Sequence, residues 1–224
     1  ILGTAKIATK VGAAIQRASN ARLAGIASRS LEHAREWSGE HGAERAFGSY
    51  DELLDDPEID AVYIPLPPSL HAEWTIRAAE QGKHVLCEKP MALNAAEVEG
   101  LIEVRDRTGV LIGEAFTVRS HPQWLRVRDM VNDGRIGRPR AMQAFFTATD
   151  VDPDSIVNRA EVGGGGMAAL GCYAVTTFRF LFAAEPTRVV ALMERDPNFK
   201  IDRLTTAIFD FPEGQASFLC SSQL

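Results

Sequence analysis

The sequence begins with ILGTAKIA, residues 1–8, and this stretch predicts the fold of the part that follows. ILG is typical of the end of a buried strand, and from Lys6 onward the spacing of apolar residues predicts a helix. Gly3, Ala5 and Ala8 make the stretch a relaxed form of the G-x-G-x-x-G pattern, in which a helix N-terminus faces a pyrophosphate. A strand–turn–helix that merely contains small residues has the same pattern, so the motif alone does not decide between the two.

Alternating segments over the first 115 residues or so indicate βαβ units and a parallel sheet. The strand-like segments are RLAGIAS, RAFGSY, DAVYIPLP, KHVLCEKP and VLIGEAF. The helical ones include LEHAREWSGEHG, HAEWTIRAAEQG and ALNAAEVEGLIEVRDRTG. In the first helix the spacing places Ile7, Val11, Ala14 and Ile15 on one side.

The regular alternation of strand-like and helical segments ends at about residue 118. One helix, PQWLRVRDMVNDG, precedes a strand, a loop with four glycines at 163–166 and an apolar helix that ends near Phe182. Three strand-like runs then follow with short turns between them, which is typical of an antiparallel sheet. We therefore predict an α/β domain over 1–117 and an α+β domain over 118–224 with an open, mainly antiparallel sheet.

Composition narrows the range of partners. The chain has 24 Lys and Arg against 30 Asp and Glu, and its basic residues are scattered, which disfavours a nucleic-acid interface. No apolar run is long enough to cross a bilayer. The five histidines show no zinc-ligand spacing. Cys87, Cys172 and Cys220 form no C-x-x-C pair, so we expect a reducing, cytoplasmic compartment.

Both ends of the chain suggest a larger protein. Residue 1 is Ile, with almost no strand before the glycine motif, and CSSQL closes the chain directly after a strand-like run. We expect that segments are missing at both ends.

The second predicted strand ends in Ser28 and Arg29. An acidic residue at this place would accept hydrogen bonds from the ribose of NAD, whereas a hydroxyl and a guanidinium suit the 2′-phosphate of NADP. The sequence therefore favours NADP over NAD. The alternative is that Arg29 is an ordinary solvated arginine.

CEKP, residues 87–90, ends another strand of the predicted parallel sheet. Ligands of such sheets bind beyond the carboxyl ends of the strands, so Lys89 should face the cofactor crevice. A lysine there could hydrogen-bond a substrate oxygen and exchange its proton. Pro90 restricts Lys89 to an extended backbone. On the residues alone, a surface lysine remains the more common case.

GTAKIA, the ASR after the second strand, the long run from YDELLDD to CEKP, EAFTVRSHPQW and GGGGMAALGCY follow one another along the whole chain. In this order they resemble the Gfo/Idh/MocA oxidoreductases, and above all the branch with glucose–fructose oxidoreductase, xylose dehydrogenase and dihydrodiol dehydrogenase. The resemblance implies a Rossmann domain followed by a sheet domain that binds a carbohydrate-like substrate and forms homo-oligomers. It makes Lys89 the expected catalytic lysine and a cis Pro90 more plausible.

The resemblance also implies site residues. Those expected to bind the cofactor are Gly3, Thr4, Ala5, Lys6, Ile7, Ala8, Ser28, Arg29, Ile64, Pro65, Leu66, Pro67, His71, Glu88 and Lys89. Those expected to face the substrate are Arg119, His121, Trp124 and Tyr173, although ordinary packing is the alternative for His121 and Trp124. Pro68 stands where the family more often has Asn.

Family members usually read GGG-x-x-x-D-x-G-x-x-(H or Y), and this chain has Ala169 at the aspartate position and Tyr173 at the last one. The implied reaction is hydride transfer between nicotinamide and a carbinol or carbonyl carbon, with Lys89 and Tyr173 moving the proton. The missing aspartate leaves a second possibility, a non-catalytic NAD(P)-binding sensor. We expect the glycine run to pass close to substrate or cofactor and to start the helix that carries Tyr173.

Overall fold

A computed structural model describes residues 1–224, which divide into two units, Ile1–Ala115 and Phe116–Leu224. The first unit alternates strands and helices. Its strands are β1 Gly25–Ala27, β2 Arg45–Phe47, β3 Ala61–Ile64, β4 His84–Cys87 and β5 Ile112–Glu114. Its helices are α1 Lys6–Arg17, α2 Leu31–His41, α3 Tyr50–Leu54, α4 His71–Glu80 and α5 Ala95–Thr108.

Residues 1–3 join two groups of parallel strands. Strand β1 pairs with β2, and β3 pairs with β4, which pairs with β5, all in parallel. Between these groups the N–H of Leu2 donates to Tyr63 O at 2.9 Å, and the N–H of Gly3 donates to Ala27 O at 2.8 Å. The strand directions agree with the predicted parallel sheet, which places all carboxyl ends of the strands at one edge.

The buried face of α1 agrees only in part with the predicted one. Ala8 and Gly12 are buried, Val11 and Ile15 are half-buried, and Ile7 is exposed. A Cβ on Gly12 would lie 3.0 Å from the Trp37 ring, so this helix packs through its smallest residues. The apolar spacing was therefore right for Val11 and Ile15, which pack against the core, and wrong for Ile7 and Ala14; close packing favours the small Ala8 and Gly12 beside them.

The second unit is a four-stranded sheet with helices on one face. It contains α6 Pro122–Asn132, β6 Ala141–Thr147, α7 Cys172–Phe182, β7 Arg188–Arg195, β8 Asp202–Phe211 and β9 Gly214–Ser221. The strand order is β6-β9-β8-β7, with β6 parallel to β9 and the other pairs antiparallel. The predicted mainly antiparallel sheet is confirmed.

The two faces of this sheet are packed differently. On one face Phe209 and Phe218 pack with Phe178 of α7 in an apolar core. The other face is open, and Leu192 and Phe145 on it are 78% and 74% exposed. In neither unit does a helix combine the length and the apolar character needed to cross a membrane.

The apolar helix after the glycine run starts in an unexpected form. Met167–Gly171 is a π-helix, and α7 continues directly from it. A π turn has i→i+5 hydrogen bonds and is uncommon outside functional sites and local distortions. The sequence predicted one regular helix here.

We expect Leu2→Ala to lower the free energy of unfolding by about 3 kcal/mol, because Leu2 is fully buried in the core between the two strand groups. Leu111→Ala is the matched control, since Leu111 is 72% exposed and its truncation should change stability by less than about 0.5 kcal/mol. Urea denaturation measures both. Equal losses would contradict the placement of residues 1–3 in the sheet.

Candidate active site

The turn at Gly3 has a geometry that only glycine fits. Its φ is +102°, and a Cβ at this position would lie 2.9 Å from Leu66 Cδ2. The chain then enters α1 at Ala5, which provides no side-chain cap, and the first turn has no acidic residue. Helices α2, α3 and α5, in contrast, are capped by Ser or Asn side chains. The uncapped N–H groups of α1 suit an anion such as a pyrophosphate.

Arg29 lies at the carboxyl edge of the same sheet. Ser28 is buried and its Oγ accepts from the N–H of Ser30 at 3.4 Å, whereas Arg29 is exposed and forms no ion pair with a carboxylate. Burial raises the pKa of Tyr50, and the cation of Arg29 partly offsets this rise. The Tyr50 hydroxyl lies 3.7 Å from the position of a Cβ on Gly3. Sequence reasoning missed Tyr50, which belongs to the edge that Gly3 and Arg29 form.

His71 links two loops at this edge. It is 1% exposed; its Nε2 lies 2.7 Å from Leu66 O and its Nδ1 2.7 Å from Pro90 O. Because a carbonyl oxygen only accepts, a ring nitrogen that carries a proton donates to the carbonyl it faces. The ring is thereby turned inward, and it connects the loop after β3 with the loop that carries Lys89.

Two carboxylates hold the backbone around Lys89. Glu88 accepts from the Tyr63 hydroxyl at 2.6 Å and from the N–H of Lys89 at 3.2 Å. Two residues further on, the N–H of Met91 donates to Glu114 Oε1 at 2.7 Å. The Lys89–Pro90 peptide bond is cis, as the resemblance suggested. Lys89 is half-buried, and its place at the end of β4 is fixed on both sides along the chain.

The remaining predicted cofactor residues follow the two strand ends. Ile64, Pro65 and Leu66 are buried, and Pro67 is half-buried. Ala8 is buried against the sheet, whereas Thr4, Lys6 and Ile7 are exposed at the start of α1. Tyr63 and Glu114, which the sequence did not reveal, act through contacts between neighbouring strands.

Tyr173 of the second unit stands between two aromatic rings. Its ring centroid lies 5.6 Å from that of Phe116 and 5.6 Å from that of Phe146. Tyr173 and Trp124 line one mainly apolar cavity of about 480 Å³ within this unit. Two of the four residues predicted to face the substrate therefore share one cavity.

Arg119 and His121 do not line that cavity. Both are exposed, and His121 caps α6 because its Nδ1 accepts from the N–H of Gln123 at 3.2 Å. A helix cap accounts for the position of His121 without a ligand.

The glycine run is packed against the chain itself. A Cβ on Gly164 would lie 2.4 Å from Ile156 O, and one on Gly165 would lie 2.2 Å from Asp202 Oδ1. The N–H of Gly165 donates to Val157 O at 2.8 Å. The run is not a linker and leads into the helical segment of Tyr173, as expected. However, the atoms that require glycine here belong to the protein rather than to a ligand.

Comparison with known protein families identifies the family to which the chain belongs. Residues 1–116 match the oxidoreductase family with an NAD-binding Rossmann fold, and residues 124–224 match the GFO/IDH/MocA C-terminal domain. The chain belongs to the Gfo/Idh/MocA family. The first unit is accordingly an NAD(P)-binding Rossmann domain, and the family predicted from the motifs is confirmed.

Among relatives of this Gfo/Idh/MocA chain, the uncharacterized oxidoreductase ORF334 of Rhizobium meliloti is 53% identical over 226 residues, which cover 100% of this chain and 68% of that protein. The D-xylose 1-dehydrogenase (NADP(+)) 2 of Haloferax volcanii is 36% identical over 223 residues, with 99% and 68% covered. KijD10, a 3-ketoreductase from Actinomadura kijaniata solved with NADP and TDP-benzene, superposes with a TM-score of 0.91 at 31% identity. That match covers 100% of this chain and 69% of KijD10, so the chain spans about two thirds of these relatives.

We expect His71→Ala to destabilise this Gfo/Idh/MocA chain by about 3 kcal/mol, because the buried imidazole that lies between the Leu66 and Pro90 carbonyls is lost together with the hydrogen bond it donates. His33→Ala, at an exposed histidine of α2, is the control and should cost less than about 0.5 kcal/mol. Thermal and urea unfolding measure both variants. A loss no larger than that of the control would show that His71 does not join the two loops.

Proposed function

We propose that the protein is an NADP-dependent oxidoreductase that transfers a hydride between nicotinamide C4 and a carbinol or carbonyl carbon of a sugar, a polyol or a related cyclic diol. The observation that carries this proposal is the fixed position of Lys89 at the carboxyl edge of an NAD(P)-binding sheet. Glu88 and Glu114 hold the backbone on either side of it. A surface lysine would not require two carboxylates on its flanking backbone.

Residues of the first unit would hold the cofactor. The proposed set is Gly3, Thr4, Ala5, Lys6, Ile7, Ala8, Ser28, Arg29, Ile64, Pro65, Leu66, Pro67, Glu88 and Lys89, with His71 as the residue that keeps two of these loops together. The uncapped start of α1 fits the pyrophosphate, and the exposed Arg29 fits a 2′-phosphate. An NADP(+)-dependent xylose dehydrogenase and an NADP-bound 3-ketoreductase among the relatives support NADP.

Lys89 and Tyr173 would perform the proton transfer. When bound, the nicotinamide supplies the hydride chemistry. On oxidation, one of the two groups would be deprotonated, accept a hydrogen bond from the substrate hydroxyl and take its proton, while the other donates a hydrogen bond to the same oxygen; on reduction the protonated group would return that proton to the carbonyl oxygen. Structures of KijD10 include a lysine-to-alanine and a tyrosine-to-phenylalanine variant, which are the residue types of this proposal. Arg119, His121 and Trp124 would complete the substrate side.

Ala169 supports a second candidate function. Because its methyl group cannot hydrogen-bond, the chain lacks the carboxylate that the family pattern has at this place. A non-catalytic NADP-binding sensor on the same scaffold would need neither that carboxylate nor turnover. Lys89 and Tyr173, which such a sensor has no reason to retain, favour the enzyme.

A panel of aldoses, deoxysugars, polyols and cyclic diols with NADP, followed by absorbance at 340 nm, tests the enzyme. We expect reduction of NADP with at least one class. Tight binding of NADP without turnover of any compound, in either direction, would establish the sensor instead.

The open face of the sheet is the proposed site of association between copies of the protein. Val190, Leu192, Ile208 and Phe145 lie on this face and are more than half exposed. An apolar surface of this kind is typical of a protein interface. Sedimentation velocity tests this proposal, and a monomer at micromolar concentration would contradict it.

We expect Arg29→Ala to weaken NADP binding about ten- to hundredfold, because a charge-assisted hydrogen bond to the 2′-phosphate is lost. The affinity for NAD should change less than threefold by the same argument, since NAD lacks that phosphate. Isothermal titration calorimetry measures both, with the exposed Arg35→Ala of α2 as the control. An equal effect of Arg29→Ala on both cofactors would contradict the assignment of the 2′-phosphate to Arg29.

We expect Lys89→Met and Tyr173→Phe each to lower kcat roughly 10²- to 10⁴-fold on the substrate that the panel identifies, because each removes a proton-transfer group. Lys10→Met, at an exposed lysine of α1, should leave kcat unchanged. Steady-state kinetics at 340 nm provide the measurement. If Lys89→Met retained wild-type kcat, the proposed mechanism would be wrong.

A further inference from the structure

Asp202, the first residue of β8, is a carboxylate that the proposed chemistry does not use. It is 9% exposed, and its Oδ2 accepts from the N–H of Met167 at 2.6 Å and from the Thr205 hydroxyl at 3.3 Å. It forms no ion pair. Burial raises the pKa of its carboxyl, and its hydrogen bonds and the cation of Arg195 only partly offset this rise. Burying a carboxylate that has no ion-pair partner is costly, so its hydrogen bonds must serve the fold or the site.

The Met167 N–H is the main donor to the Asp202 carboxylate. Met167 is the first residue of the π-helix Met167–Gly171, and the preceding Gly166 has no side chain that could cap it. The first N–H groups of a helix have no acceptor within the helix. Asp202 therefore supplies the missing cap from a strand that lies 35 residues further along the chain.

The glycines make room for that carboxylate. Gly165 has a φ of +130°, and its Cβ would fall 2.2 Å from Asp202 Oδ1. A Cβ on Gly166 would lie 3.1 Å from Asp202 O and 3.2 Å from its Oδ2. The backbone of residues 165–167 thus lies directly on Asp202, which accounts for two of the four glycines.

The π-helix sets the orientation of Tyr173. Tyr173 follows Met167 by six residues, and α7 begins where the π-helix ends. If the π turn relaxed to α-helical i→i+4 bonding, the residues after it would rotate by up to one residue step, roughly 100°. Such a rotation would take the Tyr173 ring out of its contacts with Phe116 and Phe146.

We propose that Asp202 is the positioning residue of Tyr173: its side-chain oxygen caps the π-helix at Met167 and thereby fixes the direction in which α7 presents the phenol. The role of the Tyr173 orientation in hydride transfer rests on the proposed function. The effect of Asp202 on that orientation is independent of the proposed function, because every contact in the argument lies within the second unit.

Tyrosine labelled with ¹³C at Cζ provides the measurement. The chain has three tyrosines, so the NMR spectrum contains one signal each for Tyr50, Tyr63 and Tyr173, and Tyr173→Phe assigns the last of them. In Asp202→Ala we expect the Tyr173 signal to move by more than its linewidth and the other two to stay. Asp202→Asn should keep all three signals in place, because an amide oxygen also accepts from Met167.

Asp210→Asn is the matched control, since Asp210 lies on the same strand but faces Arg188 in an ion pair. Its Tyr173 signal should stay at the wild-type position. A folded Asp202→Ala with an unmoved Tyr173 signal would overturn the proposal. An Asp202→Asn signal displaced as far as that of Asp202→Ala would overturn it as well.

Gly165→Ala decides the question where Asp202→Ala does not fold by circular dichroism. Its added methyl group displaces the carboxylate, so the Tyr173 signal should move as predicted for Asp202→Ala, and an unmoved signal would contradict the proposal. The measurement needs neither cofactor nor turnover. If the Tyr173 signal moves in Asp202→Ala but the protein transfers no hydride, the proposed function is refuted and the role of Asp202 stands.

Discussion

The backbone hydrogen bonds of residues 1–3 are the constraint on which the first unit depends. They attach the chain to β3 on one side and to β1 on the other, through Tyr63 O and Ala27 O. Residues 1–3 thus join the two groups of parallel strands, and the carboxyl ends of the strands lie at one edge. Gly3 turns there into α1, and its φ of +102° favours glycine, with Leu66 beside the place of a Cβ. The proposed cofactor site follows from that one arrangement.

At the same edge, side chains hold the backbone around Lys89. Glu88 and Glu114 accept backbone N–H groups on either side of it, and His71 holds the next carbonyl, that of Pro90. Charged side chains are thus used to fix the loop rather than the substrate. In the second unit, Asp202 and the glycine run do the same for the segment that carries Tyr173. In both units a buried or half-buried carboxylate positions backbone near a proposed proton-transfer residue.

Much of the fold could be predicted from the sequence, because short apolar runs alternate with capped helices. Asn94 caps the start of α5 and Gly109 its end, and a parallel sheet precedes a mainly antiparallel one, as predicted. The buried side of α1 could be predicted only in part: Val11 and Ile15 pack against the core as their spacing indicates, but the closest approach, on Trp37, is made by Gly12. The helix propensities of the residues in α1 do not reveal that this helix packs closely on Trp37 of α2.

Site residues that belong to a sequence motif could be predicted. Those that depend on contacts between distant parts of the chain could not. Gly3 and the CEKP loop lie where their motifs placed them. The π-helix depends on a carboxylate 35 residues away, so local spacing cannot reveal it. Tyr63 and Glu114 likewise form hydrogen bonds with the loop after a neighbouring strand, to Glu88 and Met91. In the sequence each of the two looks like an ordinary strand residue.

The most direct test of the central claim follows the hydride itself. NADPH carrying deuterium at C4 of the nicotinamide is incubated with the protein and a mixture of ketoses, deoxyketosugars and cyclic diones, and the products are analysed by mass spectrometry. Our account predicts an alcohol that carries one deuterium at the former carbonyl carbon, formed by the wild type and lost in Lys89→Met. Binding of NADPH without any deuterated product would contradict it.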